Sequence, residues 1–567
     1  MIKNQLFYVL KLNSDFLRYK NYNLNCSVEE MRANKWLVSL ADSQALRTIR
    51  MVRYERNPDA IRYDPDKLSE LLKMRKRLYH MQYTPDNCKQ IHQITKEIDD
   101  MLVIPEYLVI KIDKKKQYVD IIKHGLIING KKYVRFLAGA GHVRNNTVVF
   151  IAEDFELDVK KRLQNNWNPT TKITENKFNA YMALSASASW QIDDDDHLLT
   201  PKVILINDCE TTMRKKVDWV EDAQVFNPNI PIELQNKKHI VTQDKELEFN
   251  FFDGGGLIDI STARRWAEKL KLDYVPSTFV IRNIYIKGCL FVVDFHKFAQ
   301  DVAHQQYIVD LYGNVQNVGE SDIILTKSMF KLWNAYNSME EYQQYCWDNH
   351  NYWGVTRVAP KADDDYVTTN YQFLQVLNMN DDDVHNVCDT TINWLKGVSG
   401  LDPVYSMLFL MGNLANNDDP DFVYNSISDN VVKALAINQE MIKDDYIRQK
   451  LITAINKKIT EAYIGKLIVQ GCFSVMIPDP YALMEWAFAN GDINKVRGLL
   501  NEHEHYSNYW NSRNVSEAIA CRSPLTWRSE VNKLNLKNND QTSEWYQYLN
   551  SGIIYNIWGT DCMLHAD

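Results

Sequence analysis

Three consecutive glycines behind an aspartate, Gly254–Gly256 after Asp253, restrict the folding of this chain more than any other feature. Glycine adopts positive φ angles at little cost and lets two stretches of backbone approach closely, which no other residue does cheaply. The pattern therefore predicts a tight loop. Since Asp-Gly-Gly-Gly alone is also typical of an ordinary surface loop, the residues that follow decide whether the loop is interpreted as functional.

The sequence after this loop predicts a helix and then two short strands. Ser261 is a candidate N-cap, and apolar residues at 263, 266, 267 and 270 have the spacing of a one-sided helix. β-rich runs follow at Phe279–Ile281 and Cys289–Val293, with Lys287-Gly288 expected at a bend between them. Basic groups are therefore expected at a turn.

This order of motifs resembles the first double-psi β-barrel of the single-chain, two-barrel RNA polymerases. That family comprises the RNA-dependent RNA polymerases of RNA silencing and the YonO-like and crAss-like phage RNA polymerases. The matching segments are the glycine loop Asp253–Gly256, the Pro-Ser-x-Phe-x-Ile-Arg strand Pro276–Arg282 and the Lys-Gly turn Lys287-Gly288. The resemblance implies an α+β fold with a double-psi β-barrel polymerase core, a helical cap, a helical connector and an incomplete second barrel.

Length and composition predict a folded protein of several domains. The chain has 567 residues, which suggests roughly three or four domains of about 100–200 residues each. Its 45% hydrophobic and 11% aromatic residues are enough for several cores. The formal charge of −8 argues against a generally basic nucleic-acid coat, so positive charge must be concentrated in a groove if the chain binds nucleic acid.

Cysteine usage and hydropathy indicate a cytoplasmic location, which is the host cytoplasm if a phage encodes the chain. The nine cysteines are scattered without a C-x-x-C pair, which fits neither a zinc module nor a disulfide framework. No apolar run approaches the ~20 residues that span a bilayer. We therefore expect no membrane partner.

The motifs predict five domains along the chain. These are a mixed N-terminal cap with a helical hairpin (1–105), a β-rich domain (106–245), the first double-psi β-barrel (246–335), a helical connector (336–463), and the start of a second barrel, truncated at its metal-binding loop (464–567). Asp64-Pro65 and Thr84-Pro85 are expected to begin the two helices of the hairpin. Tyr118–Ile122 is expected to be a strand, and Asn129-Gly130 a hairpin turn.

The family resemblance also implies a set of functional residues. Lys287 and Lys331 are the expected catalytic cations, and the loop residues Asp253, Gly254 and Gly256 lie beside them. Four further basic residues are expected to bind substrate or nucleic acid, namely Arg144, Arg282, Lys327 and Arg522. If residues 322–331 are helical, Lys327 and Lys331 share a helix face.

The last residues match only the beginning of a catalytic motif. The family carries an Asp-x-Asp-Gly-Asp loop, often preceded by alanine, that holds the catalytic Mg²⁺, and Ala566-Asp567 matches its first two letters. Asp567 is therefore the one expected metal ligand, although Asp561 and His565 leave an improvised site open. We expect this chain to be the N-terminal part of a polymerase that needs a C-terminal segment or subunit with the remaining aspartates.

Two functions follow as hypotheses. The first is template-directed RNA synthesis from nucleoside triphosphates, with a nucleic-acid template, DNA more readily than RNA, and an RNA product as partners. The second is a non-catalytic nucleic-acid-binding or scaffold protein derived from such a polymerase. The first predicts one basic cleft formed by Arg144, Arg282, Lys287 and Lys331.

The acidic run Asp193–Asp196 is expected to be a solvated loop.

Overall fold

The computed structural model describes residues 5–81, 84–222, 229, 238–411, 430–522, 525 and 531–558. This part of the chain is a mixture of helices and strands, which confirms the α+β class. It divides into two compact units. Unit 1 comprises Met1–Glu210, Phe252–Val358 and Met484–Val496, and unit 2 comprises Thr211–Phe251, Ala359–Leu483 and Arg497–Asp567.

The first part of unit 1 is a seven-stranded sheet with eight helices. The strands are β1 (Leu6–Asn13), β2 (Asn23–Leu24), β3 (Leu37–Ala41), β4 (Val103–Lys111), β5 (Leu126–Ile128), β6 (Lys131–Leu137) and β7 (Thr147–Ala152). The helices are α1 (Ser14–Tyr19), α2 (Val28–Ala33), α3 (Gln44–Arg56), α4 (Pro65–Tyr79), α5 (Pro85–Leu102), α6 (Lys115–His124), α7 (Ala140–Arg144) and α8 (Glu153–Leu163). The sheet order is β2-β5-β6-β7-β4-β1-β3, and β4 spans the domain limit predicted at residue 105.

Local sequence signals explain the helical hairpin α4–α5 and the turn between β5 and β6. The Asp64 carboxylate accepts hydrogen bonds from the N–H groups of Asp66 and Lys67, and the Thr84 hydroxyl accepts one from Asn87. Each cap is followed by a proline, whose missing N–H costs nothing in the first turn. Asn129 and Gly130 have φ of 50° and 76°, as a two-residue hairpin requires. All three predictions are confirmed.

The predicted strand at Tyr118–Ile122 is wrong, because these residues belong to α6. The buried side-chain oxygen of Gln117 accepts a hydrogen bond from the Lys114 N–H, and this caps the start of the helix. Gly125, at φ 77°, ends it. Capping by these two neighbours outweighs the β-rich composition of the segment.

After the first sheet, the chain forms one α-helix and four strands. They are α9 (Glu175–Met182), β8 (Trp190–Gln191), β9 (Val203–Ile206), β10 (Glu210–Asp222) and β11 (Lys238–Asn250). β10 and β11 form a separate two-stranded ribbon. The ribbon belongs to unit 2, apart from its first residue, whereas β8 and β9 belong to unit 1.

A second seven-stranded sheet, with order β8-β18-β13-β14-β12-β17-β9, organises the rest of unit 1. The strands not yet given are β12 (Gly255–Asp259), β13 (Thr278–Asn283), β14 (Ile286–Val293), β17 (Ile323–Thr326) and β18 (Gly354–Val358), and β15 (Tyr307–Val309) with β16 (Val315–Asn317) forms a small ribbon. The helices are α10 (Ile260–Lys269), α11 (Phe295–Asp301) and α12 (Met339–Asp348), with short 3₁₀ turns at Val318–Glu320, Lys327–Met329 and Trp333–Ala335. β12 runs parallel to β14 and antiparallel to β17.

The helix and strands after the glycine loop form as predicted, with two local corrections. The N-cap of α10 is Asp259, whose carboxylate accepts from the Ser261 N–H, so Ser261 lies inside the helix. Lys287 and Gly288 lie within β14 rather than at a bend. The connection from β13 is made instead by Ile284 and Tyr285, and Tyr285 takes a φ of 62° while its ring is buried.

Unit 2 contains a helical group and a five-stranded sheet of order β21-β25-β22-β24-β23. Its helices are α13 (Tyr371–Val376), α14 (Asp381–Ser399), α15 (Pro403–Met411), α16 (Asn430–Ile437), α17 (Asp445–Tyr463), α18 (Pro480–Phe488, which runs into unit 1), α19 (Asn508–Asn511) and α20 (Asp540–Trp545). Its strands are β19 (Tyr366–Thr368), β20 (Ile468–Gln470), β21 (Met476–Pro478), β22 (Glu504–Tyr506), β23 (Glu517–Cys521), β24 (Val531–Leu536) and β25 (Ile553–Tyr555). Among the described residues, no helix combines the length and apolarity that crossing a membrane would need.

Candidate active site

The loop Asp253–Gly256 is held by direct backbone packing against β14. Gly254 has φ of 66°, its N–H donates to the Ser328 hydroxyl at 2.9 Å, and its carbonyl accepts from the Cys289 N–H at 2.8 Å. A Cβ on Gly256 would lie 2.6 Å from the Ile324 carbonyl oxygen, and a Cβ on Gly288 would lie 2.4 Å from that of Gly254. Glycine is therefore required at 254 by conformation and at 256 and 288 by space.

Asp208 supports this loop through two hydrogen bonds in series. Its carboxylate accepts from the Ser328 N–H at 2.8 Å, and Ser328 in turn holds Gly254. The geometry follows from topology, because β9 and β17 are parallel neighbours whose carboxyl ends reach the same edge of the sheet. The sequence reasoning missed Asp208. The available signal was an acidic residue two positions after the short apolar strand Val203–Ile206.

Arg282 and Lys287 lie beside the loop as register partners on the antiparallel strands β13 and β14. Directly opposed residues point to the same face of a sheet. Lys287 is exposed, whereas Arg282 is half-buried and donates to the carbonyl oxygen of Ile281 at 2.7 Å. The buried Nε of Arg282 has no partner among the described residues, and burial lowers the pKa of this guanidinium. Arginine stays charged despite such a shift.

Lys331 completes a group of three cations. Its backbone N–H donates to the Tyr285 carbonyl oxygen at 2.9 Å, which anchors it to the connection between β13 and β14. Burial lowers the pKa of the Lys331 amine and nearby Lys287 lowers it further, while Asp253 and Asp208 oppose the shift. These interactions bring Lys331, Lys287, Asp253 and Asp208 into one electrostatic neighbourhood. We call Arg282, Lys287 and Lys331 the cation cluster.

The cation cluster is not neutralised by ion pairs. None of its three side chains forms an ion pair with an acidic residue in the part of the chain that the structure describes. Arg282 and Lys331 are half-buried, and an incoming anion can offset the desolvation of such cations in addition to the attraction that Asp253 and Asp208 exert on Lys331. The arrangement is therefore suited to binding a polyanion such as a phosphate chain.

The other expected site residues are found at separate places. Lys327 lies with its amine 5.8 Å from the ring centre of Trp333. Residues 323–326 are a strand and the 3₁₀ turn that follows ends at Met329, so the condition under which Lys327 and Lys331 would share a helix face is not met. Arg144 is exposed at the end of α7, and the structure shows no interaction between it and the cation cluster among the described residues. Arg522 is exposed in unit 2, and Asp567, Asp561 and His565 lie outside the described residues.

The described carboxylates do not form a magnesium site by themselves. Asp253 and Asp208 both act on Lys331, but no group of three or more His, Cys, Asp or Glu side chains that could hold a metal occurs within the described residues. Several carboxylates on one short turn are needed to hold a catalytic divalent cation. The described donor set thus does not fit Mg²⁺.

The acidic run Asp193–Asp196 lies in a loop, as its composition suggested, but its first residue is buried rather than solvated. Asp193 is 1% exposed, and its carboxylate accepts hydrogen bonds from the Trp353 N–H and the Thr200 hydroxyl. Burial raises the pKa of Asp193 to about 7. Asp193 therefore connects its own loop to Trp353, which directly precedes β18. Asp194 and Asp195 pair at the surface with Lys269 and His350.

Comparisons with known proteins define the class of this chain. A family model described as RNA-dependent RNA polymerase matches residues 76–544. The chain belongs to this family, and the family resemblance inferred from its motifs is confirmed.

Two individual proteins show similarity. The chain is 27% identical over 445 residues to the DNA-directed RNA polymerase YonO of Bacillus phage SPbeta, a match that covers 75% of this chain and 46% of that protein. The chain thus spans about half the length of this curated relative. The RNA-dependent RNA polymerase QDE-1 from Thielavia terrestris aligns with a TM-score of 0.45 and 12% identity, over 80% of this chain and 46% of that one.

Proposed function

We propose that this chain is the part of a template-directed RNA polymerase that binds the nucleoside triphosphate. The observation that carries the proposal is the cation cluster, whose side chains form no ion pair among the described residues, beside a loop whose packing requires Gly254, Gly256 and Gly288. Family membership supplies the reaction class, which is nucleotidyl transfer from a nucleoside triphosphate to an RNA 3′ end.

The residues of this chain would act by placing positive charge against the phosphates. In the reaction the 3′ oxygen bonds to the α-phosphorus, the bond from that phosphorus to the bridging oxygen breaks, and pyrophosphate leaves. Negative charge develops on the phosphoryl oxygens, and preorganised cations stabilise it without reorganisation. Lys287 and Lys331 are the proposed catalytic residues, and Arg282 with its planar guanidinium is proposed to hold the triphosphate.

Magnesium remains part of the proposal for the whole polymerase only. When bound, such an ion activates the 3′ hydroxyl and stabilises the phosphates. The described carboxylates do not form its site, so the ion would depend on Asp567 and on carboxylates that a further polymerase segment supplies. We propose such a segment because the match covers only 46% of the relative.

We further propose that the second sheet of unit 1 is the first double-psi β-barrel and that the five-stranded sheet of unit 2 begins the second. The first assignment is supported by the parallel pair β12–β14, which is flanked by the antiparallel neighbours β17 and β13. The second is supported by two parallel pairs, β21–β25 and β22–β24, joined through an antiparallel pair. A structure of the chain with its completing segment tests both assignments.

The proposed template is DNA and the proposed setting is the host cytoplasm of a phage. The curated relative is a DNA-directed phage enzyme, and the family description names RNA. Arg144, Lys327 and Arg522 are proposed to contact nucleic acid, because Arg144 and Arg522 are exposed and the Lys327 amine lies over the Trp333 ring.

Templated synthesis tests the proposal. The chain is incubated with a primed DNA or RNA template and labelled nucleoside triphosphates, alone and together with the remaining polymerase segment. We expect magnesium-dependent extension on DNA only with both parts, and none from the chain alone. Extension on the RNA template but not on the DNA template would show that the template is RNA. Nucleic-acid binding without synthesis by the two parts together would favour the scaffold function.

A further inference from the structure

A cavity of about 580 Å³ lies on the first sheet of unit 1 and shares no lining residue with the cation cluster. Its floor is one face of the sheet, where Lys11 on β1 is the register partner of Val109 on β4. Val38 and Leu40 of β3 extend this floor. The volume falls within the roughly 300–1,000 Å³ of typical small-molecule sites.

Four polar side chains of this cavity have donors that are not used within the described chain. The amines of Lys11 and Lys111 form no ion pair there, and Tyr107 is only 3% exposed although its hydroxyl makes no hydrogen bond there. His142 Nδ1 accepts from the Gly139 N–H at 3.2 Å, so the proton of the neutral ring is on Nε2. Lys11 and His142 are half-buried and Lys111 is exposed, so these donors, together with the Tyr107 hydroxyl, are available to a ligand.

The charge around the cavity has one sign. Its lining contains two lysines and no aspartate or glutamate. Asp42 lies between the lining residues Ala41 and Ser43 in sequence, but its carboxylate is already paired with Arg47 and Arg50. The cavity thus presents positive donors next to an apolar floor, which suits a ligand with an anionic part and a flat apolar part.

We propose that this cavity binds a phosphate-bearing nucleotide, as a second nucleotide site distinct from the cation cluster. Lys11 and Lys111 bind the phosphate, the floor of Val38, Leu40 and Val109 packs against the base, and Tyr107 and His142 donate to its oxygen or nitrogen acceptors. The choice of a nucleotide among phosphate-bearing ligands rests on the proposed function. The nucleotide is either free or one unit of a single strand.

Binding to the full chain tests the proposal. Adenosine triphosphate is titrated by calorimetry, and a fluorescent single-stranded oligonucleotide by anisotropy, at one fixed salt concentration. The variant Lys11→Ala/Lys111→Ala is expected to weaken one of the two ligands about tenfold or more, because charge-assisted hydrogen bonds are the stronger ones. Tyr107→Phe keeps the ring and its packing and is expected to weaken the same ligand about threefold to tenfold. Lys161→Ala, which removes one exposed lysine on α8, is the control for the loss of a surface charge.

Each outcome decides a separate point. Weakening of the triphosphate alone makes the ligand a free nucleotide, and weakening of the oligonucleotide makes it a strand unit. Unchanged affinity for both ligands in the double variant and in Tyr107→Phe, each shown folded by a thermal melt, overturns the proposal. If Lys161→Ala weakens binding as much as the double variant does, the proposal is overturned as well. Lys287→Ala/Lys331→Ala is measured beside them. If it binds the triphosphate as the wild type does while Lys11→Ala/Lys111→Ala weakens binding, the proposed function fails and this site stands.

Discussion

Two groups of half-buried or buried cations in unit 1 differ in how they are neutralised. On α3, Arg47 and Arg50 lie 3.3 Å and 3.0 Å from the oxygens of Asp42, with arginine side chains 7% and 9% exposed. Arg47 also donates to the Ser189 hydroxyl at 2.8 Å, and Arg50 stacks on Phe7. In the cation cluster, by contrast, Lys287 is exposed and none of the three side chains forms an ion pair among the described residues, although Asp253 and Asp208 attract Lys331 beyond ion-pair distance.

This difference separates a structural role from a binding role. Asp42 pairs with both Arg47 and Arg50. The charges of these three residues, which we call the Asp42 group, are compensated within the fold, so the loss of the group should be felt in stability. The cation cluster leaves its charges open next to a rigid loop, so its loss should be felt in binding and chemistry. Substitutions in the Asp42 group should therefore lower stability, whereas substitutions in the cation cluster should weaken binding and chemistry.

The largest expected effect is on the stability of the Asp42 group. Asp42→Ala leaves two buried guanidinium groups without a counter-charge, which costs about 3–5 kcal/mol in the free energy of unfolding. Denaturant-induced unfolding measures it, and nucleoside triphosphate binding should stay unchanged. Glu55→Ala, which removes an exposed partner of Arg162, is the control and should cost only about 0–1 kcal/mol. If Asp42→Ala and Glu55→Ala lower the free energy of unfolding equally, the Asp42 group contributes no more than an exposed ion pair, and its contrast with the cation cluster fails.

The next effect concerns the chemistry of the cation cluster. Lys287→Ala is expected to lower single-nucleotide extension by the completed polymerase by a factor on the order of 100–1,000, about 2.7–4 kcal/mol, by analogy with removal of one oxyanion donor. Because Lys287 is exposed, its loss should change stability by within about 0.5 kcal/mol. Lys287→Arg should rescue poorly, since a planar fork does not replace a compact ammonium. Near-normal extension by the alanine variant would take Lys287 out of the active centre.

A smaller effect is expected in the glycine loop that supports the cation cluster. A Cβ at position 256 meets the Ile324 carbonyl oxygen at 2.6 Å, so Gly256→Ala should destabilise by about 1–3 kcal/mol through overpacking. Gly141→Ala, where no atom lies within 4 Å of the added Cβ, is the matched control and should be tolerated. A thermal melt compares them. If Gly256→Ala melts as the wild type does, the loop is looser than its geometry implies.

The sequence predicted those parts of the site that depend on neighbouring residues. The Asp-Gly-Gly-Gly loop and the caps at Asp64 and Thr84 follow from local chemistry, and each formed as expected. Asp208 could not be found in this way, because its partner Ser328 is 120 positions away and the contact exists only through the pairing of β9 with β17. The burial of Asp193 is likewise a tertiary effect, since its partner Trp353 is 160 positions distant.

The smallest expected effect is a pH dependence that comes from Lys331. Burial lowers the pKa of Lys331 in the folded chain, so its cationic form is lost at a lower pH than that of an ordinary lysine, about 10.4. Triphosphate affinity should be full below the folded pKa and fall by up to about fivefold as the pH rises through it, since partly exposed pairs contribute about 0–1 kcal/mol.

The same shift gives a stability change of the opposite sign. Between the folded and unfolded pKa values of Lys331 the unfolded chain binds more protons, so stability rises with pH across that window. Lys331→Met should abolish both trends. An alkaline fall in affinity that persists in Lys331→Met would assign it to another group.

The most direct test of the central claim is the affinity of this chain for a nucleoside triphosphate, measured by calorimetry with Lys287→Ala/Lys331→Ala and Lys161→Ala. If the cation cluster binds the triphosphate, the double variant should weaken a triphosphate site roughly tenfold, because two amines facing phosphates are removed, while Lys161→Ala binds as the wild type does. Retained affinity at every triphosphate site in a folded double variant would contradict the account.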